Sequence, residues 1–167
     1  MEKCNKDCRP MMALVTGASS GIGREFARQL AACGHDVLLV SNQEKELAEA
    51  SAELSAKHPD GRFPVFCIDL ATPDADTRML DFCRANNYEI GVLVNNAGIF
   101  LFRSVVCTEP GRIDLFIDLH MRAVTHLCRT FALDMKQRGC RGYILNMSSM
   151  SCWMPMPGIA MYSATKA

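Results

Sequence analysis

Met12-Ala13-Leu14-Val15-Thr16 runs straight into Gly17-Ala18-Ser19-Ser20-Gly21-Ile22-Gly23, and this stretch decides the fold. The uncharged run reads as a strand buried on both faces. Beyond the glycines the apolar positions switch to helical spacing, with Ile22, Phe26, Leu30 and Cys33 on one stripe that stops at Gly34. Glycine permits the tight turn between strand and helix, and its missing side chain lets backbone N–H groups approach a pyrophosphate at the helix N-terminus. In that reading Gly17, Ser19, Ser20, Gly21, Ile22 and Gly23 surround the phosphates. The spacing is Gly-x-x-x-Gly-x-Gly, not Gly-x-Gly-x-x-Gly. Alone, the turn fits a nucleotide site and a plain strand–helix connection equally.

Outward from this turn, short β-branched runs alternate with longer helical patterns, as in a parallel sheet covered by helices. Strands are expected at residues 12–16, 36–41, 63–68, 90–95 and 142–147, and helices near 22–33, 43–57, 73–86 and 109–138. Pro64 assigns the third strand to an edge. The long helix carries Ile113, Ile117, Met121, Val124, Leu127, Phe131 and Met135 on one face, with Arg112, Arg122, His126 and Arg129 mostly away from it. Right-handed crossovers then give an α/β fold, a doubly wound parallel sheet of five strands. One domain over 12–167, behind a polar tail at 1–11, is the expected organisation.

Composition narrows the function. The 167 residues are 49% hydrophobic and 22% charged, a globular balance that excludes disorder and fibrous repeats. Eighteen Lys+Arg offset eighteen Asp+Glu without a basic cluster, which disfavours nucleic acid as a partner. No apolar run approaches the ~18 residues of a membrane span, and the first ten residues lack a signal-peptide core. A soluble, cytoplasmic protein without a membrane partner is expected. Nine cysteines, an odd number mostly placed singly in apolar stretches, are expected to be reduced core thiols. Cys4 and Cys8 have no second ligand pair at zinc spacing, so no metal is expected.

Four segments, taken in order, resemble the motifs of the short-chain dehydrogenase/reductase family, whose domain is a Rossmann fold. They are the glycine-rich turn; Cys67-Ile68-Asp69-Leu70; Asn95-Asn96-Ala97-Gly98; and Ser148-Ser149 followed by Tyr162-Ser163-Ala164-Thr165-Lys166. The resemblance runs from Met12 almost to the last residue given. It implies that Asp69 and Leu70 meet the adenine and that Asn96, Ala97 and Gly98 line the dinucleotide site. It also implies an NAD(P)-dependent oxidoreductase that interconverts a carbonyl and a secondary alcohol of a small molecule. At the end of the second strand, Ser41-Asn42-Gln43 offers neither a carboxylate for the NAD ribose nor an Arg for the NADP phosphate. Asn42 tolerates a 2′-phosphate, and Arg24 is the nearest cation in the turn, so NADP is favoured over NAD.

Tyr162 and Lys166, four apart on a helix, share a face. A Tyr with a free pKa of about 10 needs some 4 kcal/mol of differential stabilisation to work near pH 7, and an adjacent ammonium supplies part of it. By the resemblance Tyr162 passes the proton, Lys166 also holds the nicotinamide ribose, and Ser149 hydrogen-bonds the substrate oxygen. Ser148 is out of register and should point elsewhere. Hydride transfer belongs to the cofactor. Residues 150–157, with Trp153, Met154 and Met156, should border an apolar substrate or pack against further chain.

Two departures stand out. The family usually places an Asn in the long helix to hold a relay water, and His120 occupies that position. It is expected either to replace the amide or to be a packed core residue. Second, the chain stops at Ala167, inside the helix carrying Tyr162, where the family continues with further strands. The fifth strand is then expected as an apolar edge. Part of a longer protein, a truncated gene product and a fold completed by another chain all fit that ending, and a non-catalytic nucleotide-binding protein and an inactive fragment are the competing functions. At full length, self-association through the long helix is expected, with Leu115, Leu119 and Leu133 off its main stripe.

Overall fold

The computed structural model describes residues 11–154 and 156–167; the expected tail, apart from Met11, and the Cys4/Cys8 pair lie outside them. Five strands form one parallel sheet in the order β3-β2-β1-β4-β5. They are β1 (Met12–Thr16), β2 (Val37–Ser41), β3 (Val65–Cys67), β4 (Ile90–Asn95) and β5 (Tyr143–Asn146). Between them lie α1 (Gly21–Ala32), α2 (Glu44–Lys57) and α3 (Ala75–Ala85). A long helix follows β4, built from α4 (Pro110–Ile117), a π-helical turn (Asp118–Arg122) and α5 (Ala123–Gln137). The last helix is α6 (Ala160–Lys166). No helix among the described residues is long and apolar enough to cross a membrane.

The alternation of side chains along a strand explains why β1 and β2 are apolar throughout. Met12, Leu14, Leu38 and Val40 pack on one face with Met79, Leu127 and Phe131 from α3 and α5. Ala13, Val15, Val37 and Leu39 pack on the other with Ala27, Ala31, Leu47 and Leu54 from α1 and α2. Each fully buried Leu or Val contributes about 1.5–3 kcal/mol. Such a double-faced core is what a continuous apolar run requires. Proline-led β3 pairs only with β2, as its edge assignment demands.

Three expectations about faces are corrected. On α1 the sheet-facing residues are Gly23, Ala27 and Ala31, while Ile22 is 62% exposed and Phe26 and Leu30 are only partly buried. Small residues let this helix approach the sheet closely, and the larger ones wrap its flanks. On the long helix, Leu127, Phe131 and Met135 are buried as expected, but Ile117 and Met121 are exposed. The π turn resets the helical phase, so the inward positions ahead of Leu127 are Phe116, His120 and Ala123. Among the seven described cysteines, all free, only Cys83 is buried; burial pushes its thiol up to about 12. The thiols are therefore mostly half-buried or exposed, not a core feature.

Candidate active site

Strand order reverses between β1 and β4, and ligands of doubly wound sheets bind outside the carboxyl ends of the strands at that point. There a cleft of 540 Å³ opens between the glycine-rich turn and the end of β4. Gly17, Ser19, Ser20 and Ile22 line its first wall; Asn42, Asp69 and Leu70 line the far side; and Asn96, Ala97 and Gly98 form the floor. The volume is in the range of cofactor sites, about 300–1,000 Å³. Gly21 and Gly23 do not line it. Gly23 is packed against the turn, where a Cβ would stand 2.2 Å from the Gly17 carbonyl oxygen. Gly17 adopts φ +67°, and a Cβ there would meet the Ala97 Cα at 2.9 Å. The cradle is as close as backbone can come, which is the fit a pyrophosphate bound by N–H groups requires.

Side chains of this stretch hold the turn to the sheet. The Thr16 hydroxyl donates to the Val94 carbonyl (3.3 Å) and accepts from the N–H groups of Asn96 and Ala97, each at 3.0 Å. Asn96 Nδ2 donates back to the Thr16 carbonyl at 3.0 Å. The Asn96 side chain is thus spent on the turn, and the residue meets a ligand mainly through its backbone. Ser19 is likewise committed: its hydroxyl lies 3.0 Å from Ser41 Oγ and 3.0 Å from Gln43 Oε1. Asn42 is exposed at the rim. Asp69 accepts from the Ala71 N–H through Oδ1 at 2.9 Å, which leaves Oδ2 for a ligand.

Arg24, expected near the phosphates, instead pairs with Glu53 of α2 at 2.6 Å in a separate groove. The cation that enters the cleft is Arg112, alongside Leu115 and Leu119. These three sit at i, i+3 and i+7 on α4 and the π turn, so they share a face. The i, i+3, i+7 spacing is legible in the sequence, but it lies away from the longer apolar stripe of Ile113, Ile117 and Met121. The apolar residues exposed on the long helix are Ile117, Met121 and Leu133.

Gly98, on the cleft floor, is approached by two of the expected residues, His120 and Lys166. A Cβ on Gly98 would lie 3.0 Å from His120 Nε2 and 3.4 Å from Lys166 Nζ. The Tyr162 ring stands edge-on to Phe100 (5.0 Å) and to His120 (5.9 Å). Lys166 Nζ donates to the Met147 carbonyl at 3.0 Å, and burial lowers the ammonium's pKa. Ser149 Oγ accepts from Ser151 N (3.2 Å) and Ser151 Oγ (2.9 Å). Ser148 turns away, as expected, donating to the Lys166 carbonyl at 2.6 Å. Buried His120 is pushed down to about 4, first by burial and then by the Lys166 ammonium, so its ring is neutral. Nε2 accepts from the Ile99 N–H at 2.9 Å, and Nδ1 lies 2.9 Å from Thr165 Oγ1. With both nitrogens taken, the ring offers no free atom to a relay water.

A doubly wound sheet with a glycine cradle at its switch point defines a dinucleotide-binding domain. The chain belongs to the short-chain dehydrogenase family, whose model ("short chain dehydrogenase") matches residues 11–167. It is 35% identical over 157 residues to the very-long-chain 3-oxoacyl-CoA reductase of Pyricularia oryzae, covering 93% of this chain and 47% of that protein. To carbonyl reductase (NADPH) 2 of Sus scrofa it is 33% identical over 156 residues, covering 93% and 60%. Among solved structures, a short-chain dehydrogenase from Sphingobium yanoikuyae in complex with NADPH superposes with a TM-score of 0.84 at 33% identity. That match covers 93% of this chain and 60% of the other. The chain thus spans about half to three-fifths of these proteins.

Proposed function

We propose that the protein is an NAD(P)-dependent oxidoreductase that interconverts a carbonyl and a secondary alcohol. The observation that carries this reading is the approach of Lys166 to Gly98 on the floor of the dinucleotide cleft, with the Tyr162 ring 5.9 Å from the His120 ring that also abuts Gly98. The bound dinucleotide supplies or accepts the hydride. Around it, the N–H groups of the glycine-rich turn bind pyrophosphate, and Asp69 Oδ2 accepts from the adenine amino group. Lys166 spends one of its three N–H donors on Met147, which leaves two for ribose hydroxyls. Ser149 Oγ accepts from Ser151 at both of its bonds, so its own proton is free for the substrate oxygen. Tyr162 delivers the one proton that the developing alkoxide needs after hydride transfer, and the Lys166 ammonium favours the phenolate left behind.

Exposed Asn42 at the cleft rim, with no carboxylate closing β2, supports NADP as the preferred form. An apolar carbonyl substrate is supported by exposed Phe100, edge-on to Tyr162 at 5.0 Å, and by the exposed apolar residues Phe102, Trp153, Met154 and Met156. The similarity to a 3-oxoacyl-CoA reductase is consistent with that class. Ile117, Met121 and Leu133, exposed on the long helix, support self-association of the full-length protein. The free state of the described cysteines supports a reducing compartment such as the cytoplasm.

Tyr162→Phe in the full-length protein tests the reading. The ring still packs, but turnover with NADPH should fall by about 10²–10⁴-fold, the usual worth of a positioned general acid. NADPH affinity, by fluorescence titration, should stay within about twofold. Full turnover would overturn the assignment. Tight NADPH binding by the unaltered protein with no turnover on a broad carbonyl panel would make it a nucleotide-binding module instead.

A further inference from the structure

Thr165 has no part in the proposal above, yet its hydroxyl joins two separate elements. It donates to the Tyr162 carbonyl within α6 at 3.0 Å and lies 2.9 Å from His120 Nδ1 on the π turn. The direction of that second bond follows from the far side of the ring. The Ile99 N–H donates to Nε2, and a neutral imidazole has one acceptor and one donor nitrogen. Nδ1 therefore carries the proton and donates to Thr165 Oγ1, whose single proton then goes to the Tyr162 carbonyl. Ile99, His120, Thr165 and Tyr162 form one chain with one direction, and reversing any bond would set two donors against each other.

The surroundings fix the ring in this pose. Phe116 meets His120 edge-on at 5.1 Å, Tyr162 at 5.9 Å, and Gly98 leaves no room for a side chain beneath Nε2. The π turn is what brings His120 inward; such turns cost regular helix bonding and are frequent at functional sites. The chain's ends are informative. One is the backbone just past Gly98, at the end of the dinucleotide cleft; the other is the carbonyl of Tyr162 itself.

We propose that His120 and Thr165 are a positioning pair, a one-way hydrogen-bonded brace that sets the height and rotation of the turn carrying Tyr162 and Lys166 against the end of the cleft. The proposal rests on Tyr162 being the proton-passing group. The imidazole suits it because its two nitrogens face different partners. An Asn at 120 has a shorter side chain with donor and acceptor on one carbon, so His120→Asn should keep the Ile99 bond and lose the Thr165 bond.

The test compares Thr165→Val, which keeps the shape and removes the hydroxyl, with Thr165→Ser, which keeps the hydroxyl, both in the full-length protein. Thr165→Val should lower kcat by about tenfold, since a misplacement of about 1 Å costs up to ~100-fold and a smaller one less. KM for the carbonyl and affinity for NADPH should stay within about twofold, and Thr165→Ser should restore kcat. Nitrogen-15 spectra of the unaltered protein should show the His120 proton on Nδ1, exchanging slowly with solvent, and exchanging faster in Thr165→Val. An unchanged kcat in Thr165→Val, or equal losses in both variants, overturns the brace. If the unaltered protein shows no turnover, the reading of Tyr162 fails separately and the ring decides. A slowly exchanging Nδ1 proton then sustains the brace, and an Nε2 proton overturns it without any variant.

Discussion

At the dinucleotide end of the cleft, β1 and β2 are buried along their whole length, and the turn is held by Thr16 and Asn96 through four bonds between elements. At the chemical end, Tyr143, Ile144 and Leu145 of β5 are exposed, and Ser149 Oγ bonds only to Ser151 among the described residues. The first region is fixed by backbone necessity, because nothing but glycine fits where Gly17 and Gly23 sit. The second is fixed by a few long-range side-chain contacts, chiefly His120 to Ile99 and Thr165, and Lys166 to Met147. Backbone constraints tolerate no substitution; side-chain braces tolerate some and add dependence on protonation.

That dependence gives the largest expected effect. His120 is about 4 in the folded protein against roughly 6.5 when unfolded, so acid favours the unfolded state, which binds a proton the native ring refuses. Its contribution is fully present above pH 6.5 and is lost as pH falls towards 4. At about 1.36 kcal/mol per unit, the loss by pH 4.5 is roughly 2–3 kcal/mol. His120→Asn, which cannot titrate, should therefore show a shallower decline in denaturation midpoint between pH 7 and pH 4.5. Parallel acid limbs in the two proteins would mean that the ring is not held neutral, and the contrast between the regions would lose its electrostatic half.

The backbone half is tested at two glycines two residues apart. At Gly23 an added Cβ meets the Gly17 carbonyl oxygen at 2.2 Å, and backbone cannot yield as a side chain does. Gly23→Ala should cost about 1–3 kcal/mol of stability and weaken NADPH binding about 10–100-fold. Gly21 has φ +54° but open space around its Cβ position. Gly21→Ala therefore carries only left-handed strain, about 1 kcal/mol, and binding should fall less than tenfold. Equal losses by calorimetry and fluorescence titration would mean that conformation, not close approach, governs the turn.

The same contrast explains what was legible in the sequence. All five strands and the extent of the long helix could be read. Burial on two faces forces continuous apolar runs in β1, β2 and β4, the edge strands β3 and β5 keep short apolar runs, and a tight turn forces glycine. Which face of a helix points inward could not. On α1 the eye follows Ile22, Phe26 and Leu30, but close packing on the sheet selects Gly23, Ala27 and Ala31. On the long helix a π turn inserts a phase shift that no fixed period contains. The approach of Lys166 to Gly98 could be read from the motifs, whereas the partners of Thr165 and Arg112 could not. Their importance comes from partners 45 residues away or from the opposite wall of the cleft, and nothing local marks that.

Arg24 supplies the smallest expected effect and the sharpest check on cofactor choice. Sequence proximity put its charge beside the phosphates, but its guanidinium is engaged with Glu53 at 2.6 Å, both side chains more than a third exposed. Such surface pairs are worth about 0–1 kcal/mol, so Arg24→Gln should change stability by less than that. It should also leave the ratio of kcat/KM for NADPH over NADH within about twofold. Asn42→Asp, by contrast, places a carboxylate at the rim of the cleft. A like charge a few ångströms from a 2′-phosphate costs about 1–4 kcal/mol at effective dielectrics of 80 to 20, so the ratio should move towards NADH by about tenfold or more. If Arg24→Gln shifts the ratio as far as Asn42→Asp does, the guanidinium must leave Glu53 for the cofactor. The dinucleotide end would then be assembled by its ligand, as mobile in its side chains as the chemical end, and not preformed by its backbone.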